Sequence, residues 1–185
     1  MKGIPVRNKI IETASDLFYQ NGYNSTGINE IIKEAGIAKA TLYHHFKSKD
    51  EICIAYLEHK NSKFLFDIEA FAKQAPKGKQ QVLALFDFLS VFFKTSEFNG
   101  CWCINTISEI PRDEESIRSE IQKQKQKFIQ LLESLVVDNT SHLTNAESMA
   151  QKVYLLYEGA VSESHLHQES WPIQQAKDLC EQIIR

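Results

Sequence analysis

The sequence predicts an all-α fold, and three observations carry that prediction. Lys, Gln, Glu, Leu and Ala are abundant, the four prolines are confined to positions 5, 76, 111 and 172, and no alternating apolar run of the kind a strand needs occurs. The spacing of apolar residues predicts about nine helices. They divide into a three-helix head, residues 1–48, and a helical-bundle body, residues 49–185, with a helix over 49–73 connecting the two.

In the first helix Ile10, Ile11, Ala14, Leu17 and Phe18 form one apolar stripe, which stops at Asn21-Gly22, a favourable C-terminal cap. The second helix carries Ile28, Ile31, Ile32 and Ala35 on one face, capped in front by Thr26 and ended by Gly36. The third, over 39–45, buries only Leu42 and Phe46, so tertiary packing must hold it. Pro76-Lys77-Gly78 breaks the long connecting helix. Further helices are expected near 79–95, 102–108, 113–137, 144–167 and 172–184, separated by Asn99-Gly100, Pro111, the polar run 138–144 and Pro172.

A chain of 185 residues with this apolar content can build a core without covalent staples. Its cysteines, Cys53, Cys101, Cys103 and Cys180, form neither a CxxC pair nor zinc half-sites, which points to free thiols in a reducing compartment. The N-terminus lacks the apolar core and cleavage site of a signal peptide. The longest apolar stretch, 82–93, is interrupted by Asp87 and Ser90 and is too short to span a bilayer. A cytoplasmic protein with no membrane partner, cofactor or metal is therefore expected.

The net charge of -3 conceals an asymmetry. Residues 1–49 hold seven Lys/Arg and four acids, a net +3, whereas residues 50–185 hold 14 and 20, a net -6. A basic head on an acidic body suits an oriented contact with nucleic acid.

The turn Ala35-Gly36-Ile37-Ala38 gives that contact a geometry. Gly36 can take the positive φ that swings the third helix across the second, making a helix-turn-helix over 28–46. Lys39, Ala40, Thr41, His44 and His45 then project outward while Leu42 and Phe46 anchor the helix. Small and cationic groups at a helix N-terminus suit base edges and phosphates. Adjacent His44 and His45 diverge by about 100° on a helix and have no third ligand nearby, which argues against a metal.

The head resembles the TetR/AcrR family of bacterial repressors. The likeness is carried by Ile10-Ile11-Glu12-Thr13-Ala14, Leu17-Phe18-Tyr19-Gln20-Asn21-Gly22-Tyr23, Thr26-Gly27-Ile28-Asn29-Glu30-Ile31, Ala35-Gly36-Ile37-Ala38-Lys39-Ala40-Thr41-Leu42-Tyr43-His44-His45-Phe46 and Lys47-Ser48-Lys49-Asp50-Glu51. The resemblance implies that Thr26 caps the second helix and touches a phosphate, with Gly27 beside it. It places Lys39, Ala40 and Thr41 at the base edges, Tyr43 and His44 on phosphates, and Lys49 as the basic residue opening the fourth helix. Such contacts give salt-dependent affinity from phosphates and selectivity from bases. Ala38 departs from the family's usual Ser or Thr at the cap of the recognition helix, a loss of roughly 1 kcal/mol.

The resemblance also implies a homodimer on a palindromic operator, a body with an effector cavity, and a two-helix dimer face. Phe86, Phe93, Cys101, Trp102, Asn105, Tyr154 and Glu158 are the candidate lining for a lipophilic or aromatic small-molecule effector. The aromatics fit a solid core equally. Cys101, near a helix N-terminus, is a candidate redox or electrophile sensor; Cys101 and Cys103 lie about 200° apart on a helix and do not suit a mutual disulfide. Both also fit as small apolar fillers. For the dimer, Val153, Tyr157, Ala160 and Ser164 repeat at helical spacing, and Ile173, Leu179 and Ile183 make a second stripe; paired across a twofold axis they would form a four-helix interface. An enzyme is disfavoured, since no Glu-x-x-His pair, Gly-rich phosphate loop or nucleophile-base arrangement is present. A helical adaptor is disfavoured because the outward set of the head fits phosphates better than an apolar partner.

Overall fold

The computed structural model describes residues 5–139 and 145–184. Among these residues the chain forms nine helices and no strand: α1 (Val6–Asn21), α2 (Ile28–Glu34), α3 (Lys39–His45), α4 (Lys49–Ala72), α5 (Lys79–Phe93), α6 (Trp102–Glu109), α7 (Glu115–Asn139), α8 (Ala146–His167) and α9 (Trp171–Ile183). Of the polar run expected over 138–144, residues 140–144 lie outside the described residues, and α7 continues through Asn139. Pro172 falls inside the first turn of α9, where a missing N–H costs no helical hydrogen bond, so it starts the helix rather than separating two.

The helices gather into two compact units. One holds the chain up to Ser62 together with Trp102–Gln124; the other holds Lys63–Cys101 and the chain from Lys125 onward. The expected head of residues 1–48 lies wholly in the first unit, which is larger because it also includes the start of α4, all of α6 and the start of α7.

In the first unit Ile10, Ala14 and Phe18 of α1, Ile31 of α2, Leu42 of α3 and Ile52 and Tyr56 of α4 are fully or almost fully buried. This common core holds the seven-residue α3, which is too short to persist by itself. Gly22 ends α1 at φ 92° with its N–H on the Phe18 carbonyl, and Gly36 makes the turn after α2 at φ 59°. Ala38 is the N-cap of α3 and supplies no side-chain cap, as its identity requires. Ser48 accepts the Glu51 N–H at the start of α4, while the Glu51 carboxylate accepts the Lys47 N–H.

Thr26 corrects a sequence expectation. The N-cap of α2 is Gly27, whose N–H the Glu30 carboxylate accepts at 3.3 Å. Thr26 is completely buried, and its hydroxyl lies 2.8 Å from the Gly22 carbonyl and 3.2 Å from that of Leu17. A hydroxyl spent on the end of α1 ties the α1–α2 turn to the helix before it and is not free to meet a phosphate.

In the second unit α5 is buried on several faces, from Gln81 to Phe86 and at Leu89, as expected of a helix inside a bundle. It packs on α8 and α9, and α8 packs on α9. The Lys177–Asp87 and Lys79–Glu181 pairs bridge α9 to α5. The rings of Phe64, Phe86 and Phe128 surround Tyr157 at 5.2–6.2 Å in tilted or edge-on arrangements, the geometry aromatic pairs prefer.

Candidate nucleic-acid interface and regulatory site

On α3 the structure separates anchors from contacts. Leu42 and Phe46 are buried, while Lys39, Ala40, Tyr43 and His44 are exposed. Thr41 and His45 are half-buried, His45 lying edge-on to the His44 ring at 5.1 Å. The Lys39 ammonium sits 6.0 Å from the Tyr43 ring centre, so one side of the helix presents a cation, a methyl and an aromatic hydroxyl together. Gly27, at the start of α2, is exposed, and a Cβ there would meet nothing within 4 Å.

Lys49 opens α4 half-buried, its ammonium 4.2 Å over the Tyr23 ring. Burial pulls its pKa below the ordinary lysine value, against the nearby acids. The Tyr23 hydroxyl donates to Asp50, and burial together with that carboxylate pushes the phenol well up. Below this pair the Cys53 thiol is buried and pushed up to about 12, mainly by desolvation, so it is a core residue.

In the second unit, Cys101, Tyr154 and Glu158 are brought together by a residue the sequence did not single out. The Lys125 ammonium donates to the Glu158 carboxylate at 2.6 Å and to Cys101 Sγ at 3.0 Å, and lies 5.9 Å from the Tyr154 ring. Both charged side chains are only 18% exposed. Burial raises the Glu158 pKa to about 7, against the Lys125 cation. Phe93 is half-buried against Phe98, and Phe86 is fully buried against Tyr157 and belongs to the core. Trp102 and Asn105 fall on α6, in the first unit.

The expected dimer stripe is the inner face of α8 and α9. Val153, Tyr157, Ala160, Ser164 and Ile173 are buried within their own unit and cannot also meet a second chain. Ile183 is half-buried, and Leu179 alone of that set is exposed. The outward apolar residues are Leu155 (68% exposed), Leu166 (72%), Trp171 (49%) and Leu179 (48%), with Gly159 open between the two leucines of α8. Leu155, Gly159, Ser162 and Leu166 recur at four, three and four residues, one stripe of a helix. The helix carries apolar residues on two faces, and the more regular one is spent on its own bundle.

Among the described residues no group of three or more His, Cys, Asp or Glu side chains is placed to hold a metal ion, and no helix is long and apolar enough to cross a membrane. Comparison with known proteins then identifies the chain. A model of bacterial regulatory proteins of the tetR family matches residues 10–56, and a model of the tetracyclin repressor-like C-terminal domain matches residues 78–179. The chain is a TetR-family DNA-binding transcriptional regulator.

The TetR match covers both the head and most of the body, whereas the motif residues of the sequence lay in the head alone. Similar proteins include the fatty acid metabolism regulator protein of Bacillus subtilis, 26% identical over 72% of this chain and 68% of that protein. They also include the HTH-type transcriptional repressor NemR of Escherichia coli, 24% identical over 96% of this chain and 93% of that protein. The crystal structure of a TetR-family regulator from Streptomyces coelicolor shares the fold, with a TM-score of 0.85 at 24% identity, over 97% of this chain and 88% of that one. TetR-family proteins are regulators and not enzymes.

Proposed function

We propose that this TetR-family regulator is a repressor that binds a palindromic operator as a homodimer and is released by a small lipophilic or aromatic effector. The observation that carries the reading is α3: a helix anchored by buried Leu42 and Phe46 that turns Lys39, Ala40, Tyr43 and His44 to solvent. Lys39, Ala40 and Thr41 read bases; Tyr43, His44, Gly27 and Lys49 position the head on phosphates. Lys49 must leave the Tyr23 face to do so. The name of the Escherichia coli relative favours repression. A duplex selected from a random pool by the full chain gives the operator. A combined Lys39→Ala, Thr41→Ala substitution should then cost about 30-fold or more in preference for it, at about 1–3 kcal/mol for each of the two base contacts. Undiminished preference in a gel-shift competition moves the reading surface elsewhere.

The homodimer forms on the outer stripes of α8 and α9, where Leu155, Leu166, Trp171 and Leu179 are exposed and Gly159 allows close approach. A Leu166→Glu chain should sediment as a monomer and bind a full palindrome no better than a half-site. A dimer of unchanged stability places the interface on another face.

A specific contact favours a second reading, in which the thiol of Cys101 senses electrophiles. The Lys125 ammonium donates to its sulfur at 3.0 Å, so a cation stands beside the thiol. A Cys101→Ser chain should then hold the operator when an electrophile such as N-ethylmaleimide releases the parent chain; equal release of both ends this reading.

A further inference from the structure

The end of α6 reaches the DNA-reading part of the first unit through one side chain. Glu109, the last residue of α6, accepts the Asn24 backbone N–H on its carboxylate at 2.7 Å. The Asn24 side-chain amide also donates to the Glu109 backbone carbonyl at 2.8 Å. Asn24 thus donates twice to Glu109, once to its side chain and once to its backbone, and neither residue can shift along the other without breaking one bond.

The backbone beside them is shaped to receive the carboxylate. Gly22 sits at φ 92°, and a Cβ on it would lie 2.6 Å from Glu109 Oε1. A side chain there would be strained by the dihedral and would push the carboxylate aside. Thr26 fastens the same turn from the other side through the Gly22 and Leu17 carbonyls. The turn 22–26 is thus held between Thr26 and Glu109, and it leads directly into Gly27 at the start of α2.

Between the clamped residues stands Tyr23, whose hydroxyl is on Asp50 and whose ring carries the Lys49 ammonium. Glu109 also contributes to the field felt by Lys49 and by Cys53. One residue of α6 therefore touches the turn that sets α2 and acts on the cation that opens α4. No sequence pattern marks it.

We infer that Glu109 is a positioning residue for DNA recognition: its carboxylate holds the 22–26 turn, and with it the start of α2, so that α3 meets the base edges in register. The inference rests on the DNA-reading surface proposed above. It requires that the hydrogen bond to Asn24, and not the charge, be the acting element.

The test uses the full chain, the duplex it selects from a random pool, and a scrambled duplex of equal length. Glu109→Ala should weaken binding to the selected duplex roughly 5–30-fold, the equivalent of one lost hydrogen bond to a charged group. Binding to the scrambled duplex and the circular dichroism of the chain should stay as they were. Glu109→Gln, whose amide oxygen can still accept from Asn24, should restore most of the loss. Asn24→Ala, at an exposed side chain, removes only the second bond and should give a smaller loss of the same kind.

Three results overturn the inference: full affinity in Glu109→Ala and Asn24→Ala, equal losses for Glu109→Ala and Glu109→Gln, or equal losses on selected and scrambled duplexes. A parent chain that selects no sequence overturns the DNA-reading surface itself and the inference with it. That failure is seen before any variant is made.

Discussion

On α3, Lys39 stands exposed beside Ala40, Tyr43 and His44, whereas on α7 Lys125 is turned inward, 2.6 Å from Glu158 and 3.0 Å from Cys101. The same side-chain type is kept for an outside partner in one place and spent inside the chain in the other. An exposed ammonium keeps its hydration until a phosphate replaces it, so it contributes little to folding and much to binding. A largely buried one has lost that hydration already and depends on its carboxylate. Substitutions in the first region should therefore show in DNA affinity, and those in the second in stability and its pH dependence.

The largest expected effect breaks the inner pair. Lys125→Met keeps the length of the side chain and leaves Glu158 buried without its cation. At pH 8 it should destabilise the fold by about 2–4 kcal/mol, read from urea denaturation, and a further Glu158→Leu should recover most of that. If Lys125→Met is as stable as the parent, the inner and outer lysines do not differ as argued.

Next comes pH. The folded chain holds a proton on Glu158 up to about 7, against an ordinary 4.5, because burial outweighs the adjacent cation. Between those values the folded state binds more protons than the unfolded state, so stability falls as pH rises through this window. The decline should be about 1–3 kcal/mol between pH 5 and 8. Glu158→Gln should flatten it, and a slope of the same size in Glu158→Gln assigns it to other groups.

A smaller gain tests the head. Ala38→Ser supplies the missing cap of α3 and should add about 1 kcal/mol, seen as a rise of a few degrees in Tm. An unchanged Tm means packing of Leu42 and Phe46 already fixes the helix start. The smallest effect is on the outer lysine: Lys39→Ala should move stability by no more than about 0.5 kcal/mol. A larger loss makes Lys39 part of the fold.

The head was readable in the sequence because its function and its packing use different residues at short range. The apolar stripe of α1, Gly36 and the pair Leu42 and Phe46 lie within a few turns of the residues they orient, so helical periodicity alone separates inside from outside. Ser48 and Glu51 bond across the start of α4 over an equally short range. Thr26 escaped this reading, since a threonine before a helix is a capping residue by pattern, and only the nearness of the Gly22 and Leu17 carbonyls shows where its hydroxyl goes.

The body was less readable. On α8 both the stripe through Val153 and Tyr157 and the stripe through Leu155 and Leu166 are apolar, and periodicity cannot say which one the bundle will cover. The position of α5 and α9 decided it. Lys125 lies in a run of Lys and Gln indistinguishable from a solvated helix face, and Glu109 precedes Ile110-Pro111 with nothing to mark it.

By itself, then, the sequence determined the all-α class, the order of the helices and the exposure of Lys39, Ala40 and His44 on α3, because these follow from local propensity and from spacing along one helix. The tertiary structure alone decided which face of α8 is free, which lysine is buried and that Glu109 holds the 22–26 turn. Each of those depends on residues dozens of positions apart meeting in space, and a contact between distant residues has no period for a sequence to display.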